Sequence, residues 1–224
     1  MKYNAMKILG IGNALVDIMT RLENDVFLKE AGLPKGSMQL IDNVLSDNLL
    51  EASGKFKTKI TSGGSAANTI HGLANLKMKT GFIGKLGDDT YGQLFIEDIQ
   101  KNNVISHIQI SKNLSGKAIA FISPDGERTF ATFLGVASEL NISDIEEVVL
   151  SSYGCIHIEG YLLQNHELIE GVVKKAKQLG LIVSLDVASY NIVEENREFL
   201  LNLIPNNVDI LFANEEEAFA LTGL

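Results

Sequence analysis

The sequence predicts an α/β fold: a mostly parallel β-sheet sandwiched by helices, with a small β-sheet lid. Three observations lead to this prediction. Short apolar runs alternate with segments whose apolar residues recur at helical spacing, which is typical of parallel α/β proteins. Two regions, 13–44 and 104–135, interrupt this alternation. The chain has 224 residues, which is enough to bury a sizeable core.

The predicted core elements follow one another along the chain. Short runs of mostly apolar residues predict buried strands at 6–12, 80–84, 154–160, 181–186 and 208–213. Apolar residues spaced three or four apart predict helices over 66–77, 91–99, 168–179 and 199–203. Strands and helices that alternate in this way favour one sheet of parallel strands.

Polar residues predict where two of the helices begin. Asp88 or Asp89 lies at the N-cap position of the helix that starts near Tyr91. Ser143 and Glu146 have the spacing of a capping box ahead of a further apolar turn.

The two interruptions predict the lid. Residues 13–44 contain short segments and a turn at AGLPKGS, whereas 104–135 contains three strand-like runs, VISHIQI, AIAFIS and ERTFATF. Turns at NLSGK and PDG join these runs into a β-meander. We therefore expect 13–44 and 104–135 to form one small sheet, and 1–12, 45–103 and 136–224 to form the core.

Composition disfavours several classes of function. The net charge of −9 disfavours nonspecific binding to nucleic acid and to anionic membranes. No apolar run approaches the roughly 20 residues of a membrane helix, and the start, MKYNAMKILGIG, lacks a signal-peptide pattern. One cysteine, Cys155, excludes an intrachain disulfide and predicts a buried thiol, so a cytoplasmic setting fits best.

Common cofactor motifs are not found in the sequence. Each Gly-Lys pair is followed by a residue other than Ser or Thr, which excludes a P-loop. The dinucleotide fingerprint begins at Gly10 and Gly12 but has Leu15 in place of its third glycine, which disfavours a nicotinamide-dependent oxidoreductase. A zinc site is not expected, because no helical His-x-x-x-His pair occurs among His71, His107, His157 and His166.

The stretch TSGGSAANTI, residues 61–70, places two glycines directly before a predicted helix. Glycine lets the backbone approach a ligand or adopt a positive φ, and the free N–H groups of a helix start suit a polar or anionic ligand. A tight strand-to-helix connection that binds nothing explains the same residues equally well.

Polar residues near the ends of predicted strands are further candidates, because open α/β sheets bind ligands at that edge. Asp17 could bind two hydroxyls or be a solvated loop acid. Glu159 and Asp186 end later strands and could instead cap helices. Asn214 and Glu217 follow the last strand, and an N-cap with acids in the first helical turn explains them as well.

Taken together, these motifs resemble the ribokinase-like carbohydrate and nucleoside kinases, the PfkB family, over essentially the whole chain. GNALVDI resembles the family's first strand with its substrate aspartate, and SGGSAANTIHGLANL followed by GFIGKLGDDTYGQLF is similar to its first signature. DILFANEEEAFALTG resembles its Asn-x-x-Glu segment. GNALVD, GSMQLID and GERTF resemble the adenosine-kinase-like branch.

The resemblance implies ATP-dependent phosphorylation of a hydroxyl of a sugar or nucleoside. It implies that the substrate is held by Asp17, Gly63, Gly64 and Asn68, with Glu159 as a further substrate acid. The expected partner is this small molecule, and the chain is expected to be a monomer or a homodimer that associates through the lid.

The resemblance also implies roles toward the phosphates. Asn214 and Glu217 would act on the nucleotide, and Glu217 would act on Mg²⁺ through water. Arg128 would bring a positive charge to the transferring phosphate, although a solvated hairpin charge explains it equally well. A monovalent cation would be a third cofactor beside ATP and Mg²⁺.

One family feature does not occur in the sequence. The second signature, Gly-Ala-Gly-Asp, supplies backbone amides for the phosphate charge and the aspartate that deprotonates the acceptor hydroxyl. We therefore expect the base to lie beyond Leu224 and the 224 residues alone to be inactive, as the N-terminal portion of a kinase. The alternative is a non-catalytic protein that binds a sugar or nucleoside.

Overall fold

A computed structural model of the chain describes residues 6–224, so residues 1–5 of the predicted core segment 1–12 lie outside the described part. The strands are β1 (Ile8–Ile11), β2 (Leu15–Arg21), β3 (Met38–Leu40), β4 (Thr58–Gly63), β5 (Thr80–Gly87), β6 (Val104–Ser111), β7 (Gly116–Ile122), β8 (Arg128–Phe133), β9 (Cys155–Glu159), β10 (Ile182–Asp186) and β11 (Ile210–Phe212).

The α-helices are α1 (Val26–Glu30), α2 (Asn43–Ser53), α3 (Ser65–Asn75), α4 (Thr90–Lys101), α5 (Glu147–Leu150), α6 (His166–Gln178), α7 (Tyr190–Glu195), α8 (Arg197–Asn207) and α9 (Glu215–Thr222). Short 3₁₀ helices cover Gly135–Glu139, Ile142–Asp144 and Gly160–Gln164. Among the described residues, no helix is both long enough and apolar enough to cross a membrane.

The larger sheet has six strands in the order β11-β10-β9-β1-β5-β6, and every neighbouring pair is parallel. Successive residues of a strand point to opposite faces. Leu9 and Ile11 therefore pack in a cluster that includes residues of α6 and α8, whereas Ile8 packs in a second cluster with residues of α3 and α4. Helices on both faces of a parallel sheet confirm the predicted α/β fold.

The smaller sheet has the order β3-β8-β7-β2-β4. On one face, Ile119, Phe121 and Ala131 form a buried cluster with Phe27 of α1 and Leu49 of α2. The alternate residues of these strands line a cavity on the other face. This sheet joins β2 and β3 of segment 13–44 to β7 and β8 of segment 104–135, but its movement as a lid stays a prediction.

Two strands lie in a different sheet from the one predicted. Residues 104–111 were expected to begin the lid meander, but β6 pairs in parallel with β5 at the edge of the larger sheet. The reason is topological: α4 connects β5 to β6 as a crossover, which aligns the two strands in parallel. Residues 58–63 were expected in the core, but β4 pairs antiparallel with β2 in the smaller sheet.

The predicted helix starts are partly confirmed. Asp89 is the N-cap of α4, and its side chain accepts a hydrogen bond from the Gly92 N–H at 2.8 Å. The predicted box at Ser143 and Glu146 is wrong, because the chain first makes a 3₁₀ turn and the capping box there is formed by Asn141 and Asp144. Cys155 is a buried free thiol, as predicted.

Candidate functional site

A cavity of about 430 Å³ lies where the uncovered face of the smaller sheet meets the carboxyl end of the larger sheet. It brings together predicted site residues from four separate parts of the chain, namely Asp17, Gly64, Asn68, Arg128 and Glu159. Gly63, Asn214 and Glu217 do not line it.

Asp17 lies in β2, and its side chain faces the cavity. Burial raises the pKa of its carboxyl group to about 6, and the charge of nearby Glu159 acts in the same direction. Within residues 6–224, no hydrogen bond or ion pair to this carboxylate is present. A half-buried acid without a protein partner is costly, so Asp17 is poised to accept hydrogen bonds from a ligand.

The double glycine makes room for atoms of the protein itself. Gly63 ends β4 opposite Leu15, and a Cβ on it would collide with the carboxylate of Asp17. Gly64 has φ 97°, and a Cβ there would collide with the backbone oxygen of Asn13. Both glycines thus let β2 and the start of α3 lie close together, and a contact between them and a ligand stays a prediction.

Glu159, the last residue of β9, ties the start of α3 to the loop between β1 and β2. It is 2% exposed, and its Oε1 accepts from Asn13 Nδ2 at 2.8 Å while its Oε2 accepts from the Ala66 N–H at 3.0 Å. Burial raises its pKa, although the Ala66 and Asn13 hydrogen bonds act in the opposite direction. Unlike Asp17, Glu159 has a protein donor at each oxygen, and these bonds give it a structural role as a helix anchor.

Asn68 and Arg128 both line the cavity, Asn68 from α3 and Arg128 from β8. Asn68 lies one turn into α3 and is exposed, and its N–H bonds to Gly64 O at 2.9 Å. Arg128 begins β8 and is also exposed. In the described part of the chain neither side chain has a hydrogen-bond partner, so both are available to a ligand.

An apolar wall, defined as Met38, Leu40, Phe130, Leu134 and Tyr161, completes the cavity. Strand register creates it, because Met38 pairs with Phe130 on the same face of the smaller sheet. Met38 is 42% and Leu40 is 53% exposed, so both are accessible to a ligand in the cavity. The sequence analysis missed this wall, although the apolar–polar–apolar order of residues 38–40 is its signal.

Asn214 and Glu217 form a capping box at the start of α9. The Asn214 side chain accepts from the Glu217 N–H at 2.9 Å, and the two Glu217 oxygens accept from the Asn214 N–H at 2.8 Å and its Nδ2 at 2.9 Å. The helix-cap interpretation of these two residues is therefore confirmed, and their role toward nucleotide and Mg²⁺ stays a prediction.

Tyr161 lines the cavity, and burial raises the pKa of its phenol. A hydrogen bond with Ser189 lowers this pKa, and the charges of Glu159, Asp186 and Glu217 raise it. Asp186 accepts from the Ala188 N–H at 2.9 Å, so it stabilises the turn after β10.

Comparison with families and curated proteins gives consistent matches. Residues 36–224 match the profile described as pfkB family carbohydrate kinase. The chain is 26% identical to guanosine-inosine kinase of Escherichia coli (strain K12), covering 98% of this chain and 54% of that protein. It is 30% identical to 5-dehydro-2-deoxygluconokinase of Clostridium perfringens (strain 13 / Type A), covering 72% and 51% respectively. The chain thus spans about half the length of these relatives.

Solved structures share the fold. A probable sugar kinase from Rhizobium etli CFN 42 matches with a TM-score of 0.88 and 33% identity, covering 97% of this chain and 67% of that chain. Adenosine kinase from Sinorhizobium meliloti matches with a TM-score of 0.86 and 32% identity, covering 98% and 68%.

Proposed function

Because the chain belongs to the pfkB family of carbohydrate kinases, we propose that the cavity around Asp17 binds a nucleoside or sugar as the acceptor of a phosphate from ATP. The observation that carries this proposal is the Asp17 carboxylate, which is half-buried, has a pKa of about 6 and has no partner among the described residues. Two hydroxyls of a sugar ring would donate to its two oxygens, and such charge-assisted hydrogen bonds are the stronger kind.

A nucleoside fits the cavity better than a simple sugar. The Asp17 side offers polar groups for a sugar ring, with Asn68 as a second hydrogen-bonding side chain. The apolar wall offers the aromatic rings of Phe130 and Tyr161, against which a flat base can pack. The likeness to a guanosine-inosine kinase and an adenosine kinase supports the same substrate class.

The phosphate donor would approach from the α9 side of the carboxyl edge. In this proposal Asn214 and Glu217 would hold the ATP phosphates, and the Glu217 carboxylate would hold Mg²⁺ through water in addition to its hydrogen bonds from Asn214. Mg²⁺ would neutralise phosphate charge during transfer. Arg128 would add a positive charge on the cavity side, since its guanidinium has no ion-pair partner in residues 6–224.

Binding is tested by calorimetry with adenosine, guanosine, inosine and fructose. Asp17→Asn should weaken binding of the nucleoside or sugar by about 1.5–3 kcal/mol, because a hydrogen bond to a charged group contributes roughly that much to the binding free energy. Asp88→Asn is the matched control, since Asp88 is an exposed acid outside the cavity. Equal affinity of wild type and Asp17→Asn for every acceptor would rule the assignment out.

Turnover separates a kinase from a binding protein. The 224 residues contain no Gly-Ala-Gly-Asp, and this observation keeps the non-catalytic alternative open. Absence of oxyanion-type donors costs roughly 100- to 1000-fold, and absence of a base costs roughly a further 100- to 10,000-fold. We therefore expect the 224-residue chain to bind acceptor without phosphorylating it. Rapid ADP formation by this chain would refute that expectation and point to Asp186 as the base.

A further inference from the structure

Three cavities meet at one side chain. The 430 Å³ cavity around Asp17 adjoins a second cavity of about 600 Å³, which Lys112 and Asn113 help to line, and a third of about 470 Å³, which Asn165 and His166 help to line. We call the second the loop cavity and the third the helix cavity. Leu134 lines all three cavities, so it lies at their common boundary.

The backbone that leaves Leu134 is fixed by two hydrogen bonds. The Leu134 carbonyl oxygen accepts a hydrogen bond from the Ala137 N–H at 3.1 Å, and the Val136 N–H donates to the Leu114 carbonyl oxygen at 3.0 Å. Between them Gly135 has φ 51°, and a Cβ there would collide with Leu114 O. This backbone has little freedom to move away from a larger ligand.

The side chain of Leu134 packs against the buried cluster of Leu15, Ala118 and Ala137. Leu15 and Ala118 also line the acceptor cavity, and Ala137 also lines the helix cavity. Because the backbone and these packed neighbours are fixed, the size of the side chain at position 134 decides where the acceptor cavity ends.

We propose that Leu134 is a specificity-determining residue that limits the size of the acceptor on its base side. This inference rests on the proposed function, because it assumes that a nucleoside occupies the Asp17 cavity. A smaller side chain would open the loop cavity or the helix cavity to an aromatic or aliphatic substituent on the base. The helix cavity also offers Gln164 as a polar partner for such a substituent.

The test compares the dissociation constants of adenosine and of two adenosines that carry a benzyl group on N6 or on C8. For each protein the ratio of substituted to unsubstituted Kd measures size discrimination, so a general loss of affinity cancels. In Leu134→Ala at least one ratio should fall about tenfold or more, because one methylene in an apolar pocket already discriminates by about that factor. Leu114→Ala is the matched control, since Leu114 lines the loop cavity but not the acceptor cavity.

Each outcome decides the inference. A fall of the ratio in Leu134→Ala but not in Leu114→Ala supports it, and retention of large discrimination by Leu134→Met strengthens it. Equal ratios in the wild type and Leu134→Ala, with both proteins folded by circular dichroism, overturn it while leaving the proposed function intact. If the wild type binds no unsubstituted acceptor, the proposed function fails and this inference falls with it.

Discussion

Acceptor binding is expected to weaken in acid, because the proposed contact needs the ionised form of Asp17. Burial raises the pKa of this carboxyl to about 6, so at pH 5 about one tenth of the ligand-free protein carries the charge. A ligand that binds only the competent form has its apparent affinity reduced by that fraction. The Kd should therefore rise about tenfold between pH 7.5 and pH 5, which corresponds to about 1.4 kcal/mol.

The assay is calorimetric titration of acceptor at a series of pH values from 5 to 8. Near pH 6, binding should release a proton, because the ligand draws Asp17 into its ionised form. Titrations in two buffers of different ionisation enthalpy measure this proton directly. Asp17→Asn should bind about 10- to 150-fold more weakly at pH 7.5, as expected for the loss of a bond to a charged group, and its Kd should not follow pH.

Two results would refute this reasoning. One is a wild-type Kd that is constant between pH 5 and pH 7.5. The other is an Asp17→Asn variant that keeps the wild-type pH dependence, since another group would then be responsible. Asp88→Asn should keep both the affinity and the pH dependence of the wild type.

Further predictions concern stability and can be measured by urea unfolding. Because the pKa of Asp17 is raised in the folded state, its stabilising contribution is complete below about pH 4 and is lost as pH rises through 6. The difference in free energy of unfolding between the wild type and Asp17→Asn should therefore change by about 3 kcal/mol over that range. Glu159 accepts from three N–H groups, two of Asn13 and one of Ala66, so Glu159→Gln leaves at least one of them unpaired and should cost about 1–3 kcal/mol. It should also move the midpoint of acceptor binding to lower pH, because it removes a charge that raises the pKa of Asp17. Gly64→Ala should lower the free energy of unfolding by about 1–3 kcal/mol more than Gly126→Ala does. Gly126 has a similar φ of 89° but open space around it, whereas a Cβ at Gly64 would collide with Asn13 O. Asn214→Ala should cost about 1 kcal/mol through loss of the cap, and an unchanged unfolding midpoint would contradict that role.

Local patterns in the sequence predicted the parts of the fold that local physics determines. The parallel core follows from strand and helix periodicity, and the cap of α4 at Asp89 follows from residue type and position. β6 and β4 were assigned to the wrong sheets because strand pairing is not determined by the local pattern of a strand. The apolar pattern of 104–111 is compatible with either β5 or β7 as a neighbour. The crossover through α4 decides between them, and the pattern of the strand itself does not show it.

The candidate site shows the same division. Sequence motifs identified Asp17 and Glu159 as candidate acids, but they could not separate the roles of the two. Asp17 was expected beyond the end of a strand and instead lies within β2, whereas Glu159 ends β9 as predicted. The difference between their roles arises from Asn13, whose side chain reaches Glu159 across 146 residues of sequence and leaves Asp17 without an equivalent donor. The apolar wall also depends on the pairing of β3 with β8. One sheet formed by 13–44 and 104–135 was predicted, but the register that sets Met38 beside Phe130 was not.

The hydrogen bond between the Ala66 N–H and Glu159 has a consequence for the order of events on the ribosome. The two residues are 93 positions apart, so α3 emerges well before its acceptor has been synthesised. Until then the first turn of α3 has an orphan N–H, and the Gly64 turn has no anchor on the β9 side. The acceptor pocket can therefore mature only after β9 has docked beside β1. The nascent chain should become able to bind acceptor abruptly, once β9 and the following cavity residues Tyr161 and Gln164 have left the exit tunnel.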